Sequence, residues 1–292
     1  MSVYNFIDIN FLNPLKSVPV QWYYTFRKKY NALNTSKRDH HIVVSLTSFP
    51  DRFKTLHFAL KSILTQTMMP DIIFLCLTKE EVENESELPL SISELKKYGI
   101  QIYFADNNLK PHNKYIYAMR MYPDSLIITV DDDNMYDKNL IANLYKSYII
   151  YPKAVSARRV HKINYDNDNN ILPYTKWHYE YRKELNPSEG LLATGVGGVL
   201  YPPKILPPET FDEKKIRDLC LNADDIWLKF MEQMAKVPVV WAAENNTMQR
   251  RVHPLNIKKA QKITLQKNNY HGSLNDKYIS DLQNYYGFTL GK

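Results

Sequence analysis

Leu126-Ile127-Ile128-Thr129-Val130-Asp131-Asp132-Asp133-Asn134 is the stretch on which the reading of this chain turns. Its first five residues form a short apolar run rich in β-branched side chains, the pattern of a strand buried on both faces. Three carboxylates follow at once. Adjacent carboxylates repel one another, and crowding raises their pKa values unless a cation neutralises them. In extended backbone alternate side chains share a side, so Asp131 and Asp133 point the same way. That pair can hold a hard divalent cation, Mn2+ or Mg2+, through oxygen, with coordination positions left for water and phosphate. The alternative is a solvated acidic turn that caps the helix after it. The apolar strand directly before the acids favours the metal.

Working outward, the same alternation of strand and helix recurs. Residues 42–46 read as a buried strand, and Phe53, Leu56, Leu60, Ile63 and Leu64 then recur at helical spacing. Residues 72–77 are a second buried strand and 100–104 a third strand. Between them Ser91-Ile92-Ser93-Glu94 has the form of a capping box, with Gly99 placed to end that helix. Residues 114–122 read as a helix entering the 126–130 strand. Asp137 is expected to cap the next helix, which carries Leu140, Ile141, Leu144 and Tyr148 inward. The order predicts an α/β fold with a mainly parallel sheet covered on both faces, and ligands in such sheets bind beyond the carboxyl ends of the strands. Past residue 150 the pattern is less regular. Short strands are expected at 154–156, 198–201 and 237–241, and helices at 222–235 and 275–286.

Three regions follow: an aromatic and basic extension at 1–40, a central domain at 41–250 and a tail at 251–292. Within the extension, residues 11–30 mix Trp22, Tyr23, Tyr24 and Phe26 with Lys16, Arg27, Lys28 and Lys29. This segment reads either as a peripheral contact with an anionic membrane face or as a strap packed on the domain. Pro14 and Pro19 are expected to interrupt a long helix, which favours the strap.

The bulk properties narrow the class. Cys76 and Cys220 have neither metal nor redox spacing and read as buried thiols of a cytoplasmic protein. No apolar stretch approaches the ~18 residues of a membrane span, and no signal peptide is expected. The chain is thus expected to be soluble, or peripheral on the inner face of the cell membrane. The net charge of +7 favours anionic partners, but the basic residues are spread along the chain, which argues against nucleic acid.

A strand ending in Asp131-Asp132-Asp133, with Lys114 upstream and a helix downstream, resembles the DXD-type motif of GT-A glycosyltransferases. The overall pattern is similar to the family-2-like enzymes that build bacterial capsule and lipopolysaccharide glycans. The resemblance spans roughly residues 41–255 and rests on ordered features, since the acidic motif alone is unspecific. The resemblance implies a Rossmann-like GT-A domain and a nucleotide-diphosphate sugar donor, expected to be UDP-linked. In Val44-Ser45-Leu46-Thr47-Ser48-Phe49-Pro50-Asp51-Arg52, the backbone near Thr47 and the Arg52 guanidinium would hold the nucleotide. Asp106 would touch it too, and Lys114 would approach the diphosphate. Asp131 and Asp132 would face the donor, with Asp133, Asp131 and the late His253 as metal ligands. In Thr194-Gly195-Val196-Gly197-Gly198, the resemblance puts Gly197 and Gly198 beside the donor sugar and acceptor. Asn222-Ala223-Asp224-Asp225-Ile226-Trp227 resembles an acidic pair followed by an aromatic. In that pattern Asp225 is the general base of an inverting transfer and Asp224 contacts the acceptor, although glutamate is usual at position 224. The acceptor would be a glycan or a lipid-linked glycan.

Each motif also has a plainer reading. Asn222 can cap a helix carrying acids in its first turn. Arg52, Lys114, Arg158, Arg159 and His253 can be ordinary surface side chains, and the glycines can form a bulge between strands. The competing functions are a sugar-phosphate nucleotidyltransferase, which would release pyrophosphate, and a non-catalytic carbohydrate- or nucleic-acid-binding module.

Overall fold

The computed structural model describes residues 13–27, 29–31, 33–242, 252–254 and 274–291. After the helix α1 (Asn13–Phe26) come β1 (Ile42–Thr47), α2 (Phe53–Ile63), β2 (Ile72–Thr78), the single turn α3 (Leu90–Ser93), β3 (Ile100–Ala105), α4 (Asn113–Met121) and β4 (Leu126–Thr129). Strands β1 to β4 are parallel, in the order β3-β2-β1-β4. The chain continues through β5 (Asn134–Tyr136), α5 (Leu140–Ile150), β6 (Val155–Ala157), β7 (Val160–Lys162), β8 (Leu191–Ala193), β9 (Val199–Tyr201), α6 (Glu213–Leu219), α7 (Asp224–Met234), β10 (Val239–Trp241), β11 (Val252–Pro254) and α8 (Leu274–Tyr286). The main sheet has seven strands in the order β10-β6-β9-β4-β1-β2-β3. Strand β9 runs antiparallel to its neighbours β4 and β6, while β10 and β6 are parallel.

The apolar runs behave as continuous runs should. Because strand side chains alternate, each strand feeds two cores. Val43, Phe74 and Ile127 join α4 and α7 on one face, and Val44, Leu75 and Ile128 join α2 and α5 on the other. Helix α2 buries Leu56, Leu60 and Ile63 at helical spacing, each contributing about 1.5–3 kcal/mol of hydrophobic stabilisation. Cys76 and Cys220 are both buried free thiols.

Several local expectations change in three dimensions. Helix α1 runs through Pro19, so the prolines do not interrupt it. Pro14 lies in the first turn, where a backbone N–H has no helical partner in any case. Pro19 forfeits one helical bond, and packing on α2 through the buried Tyr24 offsets that loss. The expected capping box at 91–94 does not form: Pro89 precedes α3, no side chain caps it, and residues 94–98 tighten into a 3-10 turn. Gly99 ends that turn at φ 94°, as its position suggested.

Asp137 does not cap α5 directly. Asn139 holds the cap position, and the Asp137 carboxylate accepts from the Asn139 N–H at 2.9 Å and pairs with Arg158. Asn222 does not cap α7 either. Its amide donates to the Tyr278 hydroxyl of α8 at 3.2 Å, and the helix starts at Asp224 with no side-chain cap. In the chain's last described segment, Tyr278, Ile279, Leu282 and Leu290 enter the same core as Trp227 and Phe230. Strand β11 pairs antiparallel with β5, setting His253 opposite Met135. No helix among the described residues is long and apolar enough to cross a membrane.

Candidate functional site

The parallel pairing of β1 with β4 sets Ser45 opposite Thr129, and the Val130 N–H donates to the Ser45 carbonyl at 3.0 Å. Two loops therefore leave the sheet side by side, one carrying Ser48 and Arg52, the other Asp131, Asp132 and Asp133. Asp132 turns inward. It accepts from Ser48 Oγ at 2.6 Å and from Arg52 Nη1 at 2.5 Å, and is only 5% exposed. Asp131 and Asp133 stay partly open, with side chains 28% and 33% exposed. Arg52 Nη1 also lies 2.9 Å from Asp133, and its guanidinium stacks over Phe49. Burial pushes the Asp133 carboxyl up to about 6, against the pull of Arg52, and Asp132 is also raised chiefly by burial.

Lys114 forms the second pole. It stands in the first turn of α4, whose backbone is tied to β1 where Ser45 Oγ donates to the Lys114 carbonyl at 2.5 Å. The ammonium is buried, 3.0 Å from Asp131 and 2.8 Å from Asp224. Burial opposes its charge, but Asp131, Asp224 and Asp225 outweigh that and hold it well above the usual lysine value. His112 secures the approach to the acidic pair of α7, with Nε2 2.9 Å from the Cys220 carbonyl and Nδ1 2.9 Å from the Tyr115 hydroxyl. Burial pushes this imidazole down to about 4, so it stays neutral at physiological pH.

Gly195 closes the gap between the poles. Its N–H donates to Asp225 at 3.1 Å. A Cβ there would come within 2.6 Å of Lys114 Nζ and 3.1 Å of Asp131 Oδ1. With no Cβ, the β8–β9 turn comes this close to Lys114 and Asp131 without displacing their side chains. Burial, then repulsion from Asp224, pushes Asp225 up to about 8 against the attraction of Lys114.

Other anticipated residues lie elsewhere. Gly197 backs onto Arg159, and Gly198, at φ 84°, lies over Leu140, so neither touches the acids. Gly195 takes the place expected of them; it is the first glycine of the same run. Asp106 is exposed and pairs with Lys79 at 2.6 Å, beyond the edge strand β3. Thr47 spends its hydroxyl on the Cys76 carbonyl at 2.9 Å, and its neighbour Ser48 meets the acids instead. The side chain of His253 lies outside the described residues, although its backbone runs beside β5, just past the aspartates. Arg159 reaches the Thr194 hydroxyl at 3.2 Å and Glu180 at 3.4 Å, linking the Gly195 turn to a shallow concavity of about 450 Å³ between Lys162 and residues 178–183.

Arg52 and Lys114 neutralise part of the charge of these acids. Among the described residues, no group of three or more His, Cys, Asp or Glu side chains is arranged to hold a metal by itself. Asp131 and Asp133 nevertheless supply two part-open carboxylates, a donor set suited to a hard cation that keeps water and phosphate among its ligands. Five carboxylates gather around two buried cations here, leaving an excess of negative charge for such an ion to meet. The chain matches no family model and no curated protein.

Proposed function

We propose that this protein is a GT-A-type glycosyltransferase that moves a sugar from a nucleotide-diphosphate donor, UDP-linked, to a glycan or lipid-linked acceptor with inversion. The observation that carries this reading is the Gly195 turn. It brings a buried ammonium, an open aspartate at a strand end and a proton-holding aspartate on a second element within reach of one backbone position. A parallel sheet with its acids beyond the carboxyl ends, and one reversed strand beside the acid-bearing strand, is compatible with a GT-A domain.

In this reading Asp131 and Asp133 hold the divalent cation. Bound there, the ion supplies electrostatic stabilisation of the charge that develops on the leaving diphosphate. Lys114 offers a second, fixed positive charge, already oriented by Asp131 and Asp224 and so requiring little reorganisation. Asp225 is the base. It accepts the proton of the acceptor hydroxyl as that oxygen bonds to the anomeric carbon and the bond to the diphosphate breaks, releasing nucleoside diphosphate. The Gly195 N–H keeps its carboxylate aimed.

The test is a panel of nucleotide sugars with and without Mn2+, read by thermal shift and by the nucleotide product. Asp133→Ala is expected to lose metal-dependent donor binding and transfer. Asp225→Asn should keep donor binding and lose transfer by about 10²–10⁴-fold. The wild-type rate should climb as pH rises through about 8, where Asp225 gives up its proton. Wild-type turnover in Asp133→Ala, or release of pyrophosphate in place of nucleoside diphosphate, would overturn the proposal.

A further inference from the structure

We infer that α1 docks the protein on an anionic phospholipid surface, with Trp22 and Phe26 entering the headgroup region. The helix has two unlike faces. One is fastened to the domain: Tyr24 is buried, its hydroxyl is 3.1 Å from Thr65 Oγ1, and Lys61 Nζ donates to its carbonyl at 3.2 Å. On the other face Val18, Trp22 and Phe26, spaced four residues apart, are 42%, 66% and 74% exposed, with Tyr23 beside them at 50%. Single exposed apolar residues are ordinary, but a contiguous stripe of bulky side chains along one anchored helix marks an interaction surface. Tryptophan and tyrosine suit the boundary between headgroups and acyl chains because each joins an apolar ring to a polar atom.

Charge selects the partner. Residues 9–37 include Lys16, Arg27, Lys28, Lys29 and Lys37 and no aspartate or glutamate, while Arg38 just beyond is paired with Asp71. An uninterrupted basic segment flanking aromatic residues complements anionic headgroups, whereas an apolar protein groove would not require it. Helix α1 also packs on β11, which pairs with β5 immediately after Asp131, Asp132 and Asp133. A surface held by α1 therefore lies one strand pair away from the carboxylates. This docking is independent of what the site transfers.

The test is co-sedimentation of the full chain with vesicles of phosphatidylcholine alone, or with about a third phosphatidylglycerol, at low and high salt. Binding is expected to the anionic vesicles and to weaken with salt. Trp22→Ser with Phe26→Ser should reduce partitioning about tenfold at an unchanged melting temperature, since both side chains are exposed. Lys28→Glu with Lys29→Glu should weaken binding and flatten its salt dependence. Equal binding to neutral vesicles, wild-type partitioning by the serine variant, or no sedimentation would each overturn the inference. So would a dimer, seen by light scattering, that the serine substitutions dissolve; that result assigns the face to a second copy.

Discussion

At the Arg52 end of the carboxylate cluster, each charge has a close partner from the neighbouring loop. Asp132 is held by Ser48 and Arg52, and Arg52 reaches on to Asp133. At the Lys114 end a single ammonium serves Asp131 and Asp224, while Asp225 leans on a backbone N–H. The first arrangement is a clasp that joins two loops leaving adjacent parallel strands. The second gathers α4, the end of β4, the Gly195 turn and the start of α7, and sets three carboxyl groups around one ammonium where the first sets two around one guanidinium. In the proposed mechanism the fixed cation and the base stand at the Lys114 end, and Asp133 joins them from the Arg52 end as a metal ligand.

That contrast can be broken by substitution. The largest effect belongs to Lys114→Met, which leaves Asp131 and Asp224 without their shared counter-charge. It should cost about 3–5 kcal/mol of folding stability by denaturant titration and abolish turnover. A stable, active Lys114→Met enzyme would remove the distinction between the two ends. Gly195→Ala comes next. Its methyl would press on the Lys114 ammonium, and a destabilisation of about 1–3 kcal/mol is expected, with transfer impaired more than donor affinity. Arg52→Lys should be mildest. Asp132 keeps its bond from Ser48 and a lysine still supplies charge, so about 1–2 kcal/mol is lost with the Nη1 bridge between Asp132 and Asp133, and kcat changes little.

A pH titration of stability sharpens the comparison further. The folded state holds the Asp225 proton well above the ordinary carboxylate range, to about 8, and the unfolded chain does not. The folded state therefore binds more protons in that window, and this group's contribution to stability declines as pH rises towards about 8 and is level beyond it. Asp225→Asn should remove that part of the slope, and a slope unchanged in the variant would reassign it to another group.

The strands of the first half could be read because their signal is local. Residues 72–77 are an unbroken apolar run, and 42–46 and 100–104 are broken only by Ser45 and Gln101; β1 and β2 are buried on both faces, while the edge strand β3 is partly exposed. The same logic located Asp131 at a strand end but not the facing of the three acids: residues 132 and 133 form a turn, Asp132 and Asp133 both reach Arg52, and Asp131 turns to Lys114. Reading failed where a short polar signal has several outlets. Asn222 looks like a cap and instead reaches α8, and Asp137 looks like a cap and is claimed by Arg158. Asp106 follows β3 as expected, and its exposed side chain pairs with Lys79, apart from the other acids.

By itself, then, the sequence determined an α/β chain with a parallel sheet and a crowd of acids at the end of its fourth strand, because strand burial and carboxylate repulsion are properties of neighbours along the chain. Only the tertiary structure decided what keeps those acids together. Arg52 lies 80 residues from Asp132, Lys114 lies 17 from Asp131, and Gly195 lies 30 from Asp225. No local pattern announces such pairs, because they exist only once the sheet order returns distant segments to one edge. The choice of Gly195 over Gly197 and Gly198 was made the same way, by which of the three backbones lies beside the Lys114 ammonium.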